Sequence, residues 1–146
     1  MAEFTSEIKT IPHSDVDVYT VLSDLNNLEL AKDRMPQDKI KEFTFDKDSC
    51  TVSVDPVGKV RFVVVSREPN STIKFEAEQV PFGVNMWIQL KASSENETKL
   101  KLTIKAELSP FLKPMVSKPL QQGLDKVADL LATLPYDTIL NQGTIE

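Results

Sequence analysis

At 146 residues the chain has the length of one ordinary domain, and 40% hydrophobic against 27% charged residues is the mix of a folded globular protein, not a disordered one. A formal charge of −5 and a pI near 5.0 exclude a general nucleic-acid binder, which needs lysines and arginines facing phosphates. A single cysteine (Cys50) and a single histidine (His13) exclude an internal disulfide and the usual transition-metal sites, and no apolar run approaches the roughly 20 residues of a membrane span.

The chain opens on an alternating segment over 3–11, in which Phe4, Ser6 and Ile8 share one face and Thr5, Glu7 and Lys9 the other, the pattern of a strand. Pro12 and His13 end it. Ser14 then stands as a helix N-cap, with Asp15 and Asp17 setting negative charge in the first turn of a short helix over 15–23 whose apolar residues are Val18, Val21 and Leu22. A second short helix is expected at about 25–32, carried by Leu25, Leu28 and Leu30, followed by a turn around Pro36. From Ile40 the pattern alternates for a long stretch. It predicts strands around Phe43 and Phe45, over 50–54, over 60–67, over 72–80, from Val84 to Lys91 and from Lys99 to Ala106. The run Val63-Val64-Val65 marks a strand covered on both faces. In the last two strands Met86, Ile88, Leu102 and Ile104 share the inward parity, which places Trp87, Lys99, Lys101 and Lys105 on the outer face.

At Ser109 the spacing becomes helical. Ser109-Pro110 reads as an N-cap followed by a first-turn proline, and apolar residues run to Leu134 before Pro135 stops the helix. At about 100° per residue Leu120, Leu124, Val127 and Leu131 fall on one stripe that must lie against an apolar surface. Phe111 and Met115 lie opposite that stripe, where Pro114 and Pro119 can tilt the first turns. The expected organisation is a single domain over 1–136 with a flexible C-terminal tail over 137–146. Short connections between the strands make the sheet antiparallel and the class α+β.

This order, together with the opening phrase Glu7-Ile8-Lys9 then Asp17-Val18-Tyr19-Thr20-Val21-Leu22-Ser23-Asp24 and the closing phrase Ser109-Pro110-Phe111-Leu112-Lys113-Pro114-Met115, resembles the START and Bet v 1-like superfamily of polyketide cyclases/dehydrases and lipid-transport proteins. The resemblance runs from Phe4 to about Pro135 and implies a helix-grip fold. In it a curved antiparallel sheet of about seven strands wraps a long C-terminal helix, with two short helices after the first strand. It also implies a cavity between sheet and helix that takes a small apolar or amphipathic ligand. Members of such a group include carriers, enzymes, receptors and chaperone regulators, so the fold leaves the chemistry open.

The residues expected to line such a cavity are Phe82, Met86, Ile88, Phe111 and Met115, with Pro81-Phe82-Gly83 allowing a bend beside Met86. No catalytic constellation stands out. His13 lacks a partner at motif spacing and reads as a solvent-facing loop residue, and Cys50 reads as a structural thiol. Asp24, Glu29, Asp33 and Arg34 read as a solvated helix face. The expected function is therefore a binding module for an apolar or lipid-like molecule, with no cofactor and no metal. The alternatives are a cyclase/aromatase- or hydrolase-type enzyme using polar groups in the same cavity, and a protein-interaction domain. A partner or dimer contact through the Trp87 face is the remaining surface expectation. An acid in Met1-Ala2-Glu3-Phe4, where a signal peptide carries bases, predicts a cytoplasmic protein.

Overall fold

A computed structural model describes residues 2–27, 40–54, 58–78 and 83–145. Its elements are β1 (Ala2–Thr5), β2 (Lys9–Ile11), α1 (Asp15–Leu22), β3 (Ile40–Asp46), β4 (Ser49–Val54), β5 (Gly58–Glu68), β6 (Thr72–Glu78), β7 (Val84–Ser94), β8 (Glu97–Ala106), α2 (Lys113–Ala132) and α3 (Tyr136–Ile145). Every strand pairing is antiparallel, in the order β1-β8-β7-β6-β5-β4-β3, with β2 also on β8. The six later strands are the six the alternation predicts. The architecture is α+β, one large antiparallel sheet with a long helix near the C-terminus, consistent with a helix grip.

The single first strand is in fact two. Thr5 pairs with Thr103 and Lys9 with Leu100, so four steps on the N-terminal segment oppose three on β8. The extra residue breaks the ladder and flips the parity. Ser6 keeps its inward place and repairs the gap: its N–H donates to the Leu102 carbonyl at 2.8 Å, and its buried hydroxyl accepts from the Leu102 N–H at 2.9 Å. Ile8, expected on the same face as Phe4, instead projects outward and is 65% exposed.

α1 forms where Ser14 predicts it, with the Ser14 hydroxyl accepting from the Asp17 N–H at 3.2 Å. Of the second short helix, only the turn at 25–27 lies within the described residues. Arg67 ties this region to the sheet: its guanidinium donates to the Ser23 carbonyl at 2.7 Å and to the Asp48 carboxylate at 2.8 Å. The β5–β6 turn places Asn70 at φ 64°, a left-handed conformation that asparagine tolerates better than most residues.

α2 starts later than Ser109-Pro110 predicts. The Ser109 hydroxyl accepts from the Leu112 N–H at 3.1 Å and its carbonyl from Lys113 at 2.9 Å, so Ser109 caps a separate turn. Pro114 has no N–H to continue that ladder, and the helix proper begins at Lys113. Its stripe behaves as expected at Val116, Leu124, Ala128 and Leu131, which are buried, while Leu120 and Val127 are partly buried. The segment expected to be a flexible tail over 137–146 is helical in α3. Tertiary packing accounts for this: Tyr136 is 1% exposed, Ile139 is buried, and the Tyr136 hydroxyl donates to the Leu131 carbonyl.

Leu124→Ala and Leu131→Ala should each cost about 2–5 kcal/mol by lost transfer energy plus a cavity, measured by urea unfolding. Ser6→Ala, which leaves the Leu102 N–H buried without its acceptor, should cost about 1–3 kcal/mol in the same assay.

Candidate functional site

Three polar side chains on one face of α2 fix the helix to the kinked N-terminal segment. The Gln121 amide donates to the Thr5 carbonyl at 2.9 Å, the Asp125 carboxylate accepts from the Glu7 N–H at 2.9 Å, and the Asp129 carboxylate pairs with the Lys9 ammonium at 2.7 Å. Spaced four residues apart, they form a ladder up the helix. Asp129 first, and then Glu7, hold the Lys9 ammonium protonated above its ordinary range. With the apolar stripe beside this ladder, α2 rests on β1, β2 and β8.

The inner face of the strands farther from α2 carries apolar side chains that are only partly buried. Phe62 pairs with Ala77, and Val64 with Phe75, which in turn pairs with Met86. Directly opposed residues point to the same side of a sheet, so these five share one face with the buried Ile73 and Ile88. Phe75 is buried, while Phe62, Val64, Ala77 and Met86 pack against the core with part of their surface uncovered. This is the candidate site: an apolar wall on the concave side, flanked by α2.

Of the groups whose ionisation the fold shifts, Cys50 lies on this wall, Asp46 on the opposite face of the sheet, and Tyr136 apart from it beside His13. Cys50, paired with Phe62, is buried, and burial, helped by the Asp46 charge, pushes its thiol up to about 12. Burial likewise raises the Tyr136 phenol, whose proton is committed to the Leu131 carbonyl. Asp46 is held below the usual carboxylate range by the Ser49 hydroxyl and the Asp48 N–H. Among the described residues, no three His, Cys, Asp or Glu side chains gather as a metal site would require.

The sequence-derived residues divide. Met86 stands on the wall. Ile88 lies on the same face but is 3% exposed, packed between Ile73 and Leu102 in the sheet. Phe111 and Met115 are 80% and 52% exposed at the start of α2. Phe82, Glu29, Asp33 and Arg34 lie outside the described residues. His13 is not the solvent-facing residue that the sequence predicts: its ring lies 5.2 Å from that of Tyr136, and its Nδ1 is 3.7 Å from Asp137. The Gln121–Asp125–Asp129 ladder and the walls at Phe62 and Val64 escape the sequence reading. Spacing four apart on α2 was the available signal for the first, and the Val63-Val64-Val65 run hides the parity of the second.

The sequence matches no family model and no curated protein. Solved structures do match. A START superfamily protein from Mycobacterium smegmatis aligns with a TM-score of 0.64 at 17% identity, covering 89% of this chain and 94% of that one. Norcoclaurine synthase from Thalictrum flavum, in complex with dopamine and hydroxybenzaldehyde, gives 0.65 at 16% identity over 96% of this chain and 87% of that chain. A Thermus thermophilus protein gives 0.64 at 18% identity, covering 97% and 99%. At these identities the likeness establishes the fold, a helix grip, and the fold alone.

A thiol kept neutral by burial should react slowly. Iodoacetamide at pH 8 should leave native Cys50 largely unmodified and label it fully in denaturant, read by mass spectrometry. Because the thiol is held neutral in the fold while an unfolded one ionises near its ordinary value of 9.0, stability present below pH 9 should decline as pH rises toward 12.

Proposed function

We propose that this START-like chain is a binding module for a small apolar or amphipathic molecule, held against the concave face of the sheet beside α2. The observation that carries the reading is the partly uncovered apolar wall of Phe62, Val64, Ala77 and Met86, on strands other than the β1, β2 and β8 that α2 contacts most. A folded chain ordinarily covers such side chains, and an apolar ligand removes the remaining area from water at about 25 cal/mol per Å². Met86 adds an adaptable thioether that fits varied shapes. Phe111, just before α2, and Met115, in its first turn, are exposed and are the residues past which a ligand would enter. Ile88 supports the wall from beneath.

Binding without chemistry is favoured over a cyclase- or hydrolase-type activity by the state of the polar groups. Acid–base catalysis needs a titrating group near the working pH and free to move a proton. Cys50 is buried and neutral, and the Tyr136 hydroxyl is engaged with backbone. Norcoclaurine synthase demonstrates that the same fold hosts catalysis elsewhere, so the distinction rests on side chains and not on architecture.

Titration with Nile red, a neutral apolar dye, should give saturable one-to-one binding in the micromolar range. Met86→Lys should weaken it at least tenfold with the circular-dichroism spectrum unchanged, and the exposed Met115→Lys should slow association. Absence of saturable binding by the wild type, or affinity unaltered by Met86→Lys, overturns the reading.

A further inference from the structure

We infer that the convex face of β6–β7–β8 is a docking surface for an anionic lipid bilayer. On the side of the sheet opposite the apolar wall, Lys91 stands directly across from Lys99, and Lys101 follows two residues along β8 on the same face. Like charges directly opposed across two strands repel, and the Lys99 ammonium turns to the Thr10 hydroxyl at 2.6 Å and to Glu97 at 3.4 Å, leaving Lys91 and Lys101 to face outward. Lys74 and Lys105 lie on the same face, their ammonium groups 5.5 Å and 5.7 Å from the Trp87 ring centroid. The acidic neighbours here are Glu97 beside Lys99, Glu3 opposite Lys105, Glu76 opposite Asn85, Glu78 of β6, which Arg61 pairs, and Glu107, just past β8 and against Gly83. The acids other than Glu97 lie toward the Lys105 end, so the positive charge is concentrated at Lys91, Lys99 and Lys101, with Glu97 beside them, on a chain whose formal charge is −5. A negatively charged plane therefore attracts this face and repels the rest of the molecule, which sets an orientation before contact.

Three features favour a bilayer over a compact anion or an acidic peptide. The basic groups here are lysines, point charges suited to a diffuse anionic surface. The arginines of β5, Arg61 and Arg67, are bonded to Glu78 and Asp48. The lysines are spread from Lys99 to Lys105 along one strand, roughly 20 Å at strand rise, and across to Lys74 on β6. Finally, apolar groups stand among the charges. A groove of about 400 Å³ is lined by Ile8, Gln89, Leu90, Lys91, Lys99, Leu100 and Lys101, and Ile8 rises from it 65% exposed because of the β1–β2 kink. Trp87 sits in the same plane, a side chain that favours the headgroup level of a membrane.

Trp87 is the chain's one tryptophan, so its emission reports directly on this face. The full-length protein should cosediment with phosphatidylcholine vesicles containing about 30% phosphatidylserine. It should leave pure phosphatidylcholine vesicles in solution, and dissociate in 0.5 M salt. Trp87 emission should shift to the blue on binding. Lys91→Glu with Lys101→Glu should reduce partitioning at least tenfold, and Ile8→Ser, at an exposed site, should reduce it severalfold without altering thermal stability. Met86→Lys should bind vesicles normally, which separates failure here from failure of the ligand-binding reading. No binding to the anionic vesicles, binding indifferent to the double reversal, or preference for soluble poly-glutamate over vesicles overturns the inference, the last outcome pointing to an acidic protein instead.

Discussion

The width of one helix against the breadth of one sheet governs this molecule. A helix is about 10 Å across, and strands repeat at about 4.8 Å, so α2 can seal only two or three of the strands beneath it. Its stripe of Val116, Leu124, Ala128 and Leu131 is spent on β1, β2 and β8, and the Gln121–Asp125–Asp129 ladder prevents it from migrating toward the middle of the sheet. Toward β5 and β6, Phe62, Val64 and Ala77 are left partly uncovered on the concave side, while Ile73 and Phe75 of β6 are fully buried. The candidate site is the geometric remainder of that mismatch.

Much of the fold is legible because the strands from β3 onward have one wetted side, which makes alternation a direct record of facing direction; β5, which the Val63-Val64-Val65 run predicts to be covered on both faces, is no exception, with Val65 49% exposed. Met86 and Trp87 were assigned to opposite faces on that basis, and their registers with Phe75 and Lys74 agree. What the sequence concealed falls into two kinds. In the first, a local irregularity resets the count: the extra residue near Ser6 sends Ile8 outward, the bulge between Val64 and Ser66 disguises which valine of the run faces in, and Pro114 delays α2 by a turn. In the second, long-range packing decides. No periodicity near the C-terminus indicates that Tyr136 has a slot beside His13 and Leu131, and that slot is what makes 136–145 a helix. Of the expected lining, Met86 was readable from parity alone. Phe62 and Val64 were not, because their exposure depends on where α2 comes to rest.

The two faces of the sheet carry opposite chemistry, and one backbone feature serves both. The kink between β1 and β2 presents the Thr5 carbonyl and the Glu7 N–H to α2, anchoring the helix on the concave side. The same kink turns Ile8 toward the lysines of the convex side. A regular first strand would have buried Ile8 and left the Gln121 and Asp125 side chains without their backbone partners. Ser6, whose hydroxyl completes the Leu102 pairing, is what allows the irregularity to persist inside an otherwise continuous ladder.

α2 itself is divided by its own covalent structure. Pro119 lacks an N–H, so the Met115 carbonyl loses its partner within the helix, and the turns before it hold together less cooperatively than those after. Beyond that break, the Tyr136 hydroxyl on the Leu131 carbonyl fastens the C-terminal half of α2 to α3, which in turn packs on α1. The helix thus consists of two segments that are anchored differently. One is a short leading segment bearing the exposed Phe111 and Met115 nearby, able to fray on its own. The other is a trailing segment whose amides exchange only when α3 and the core come apart with it.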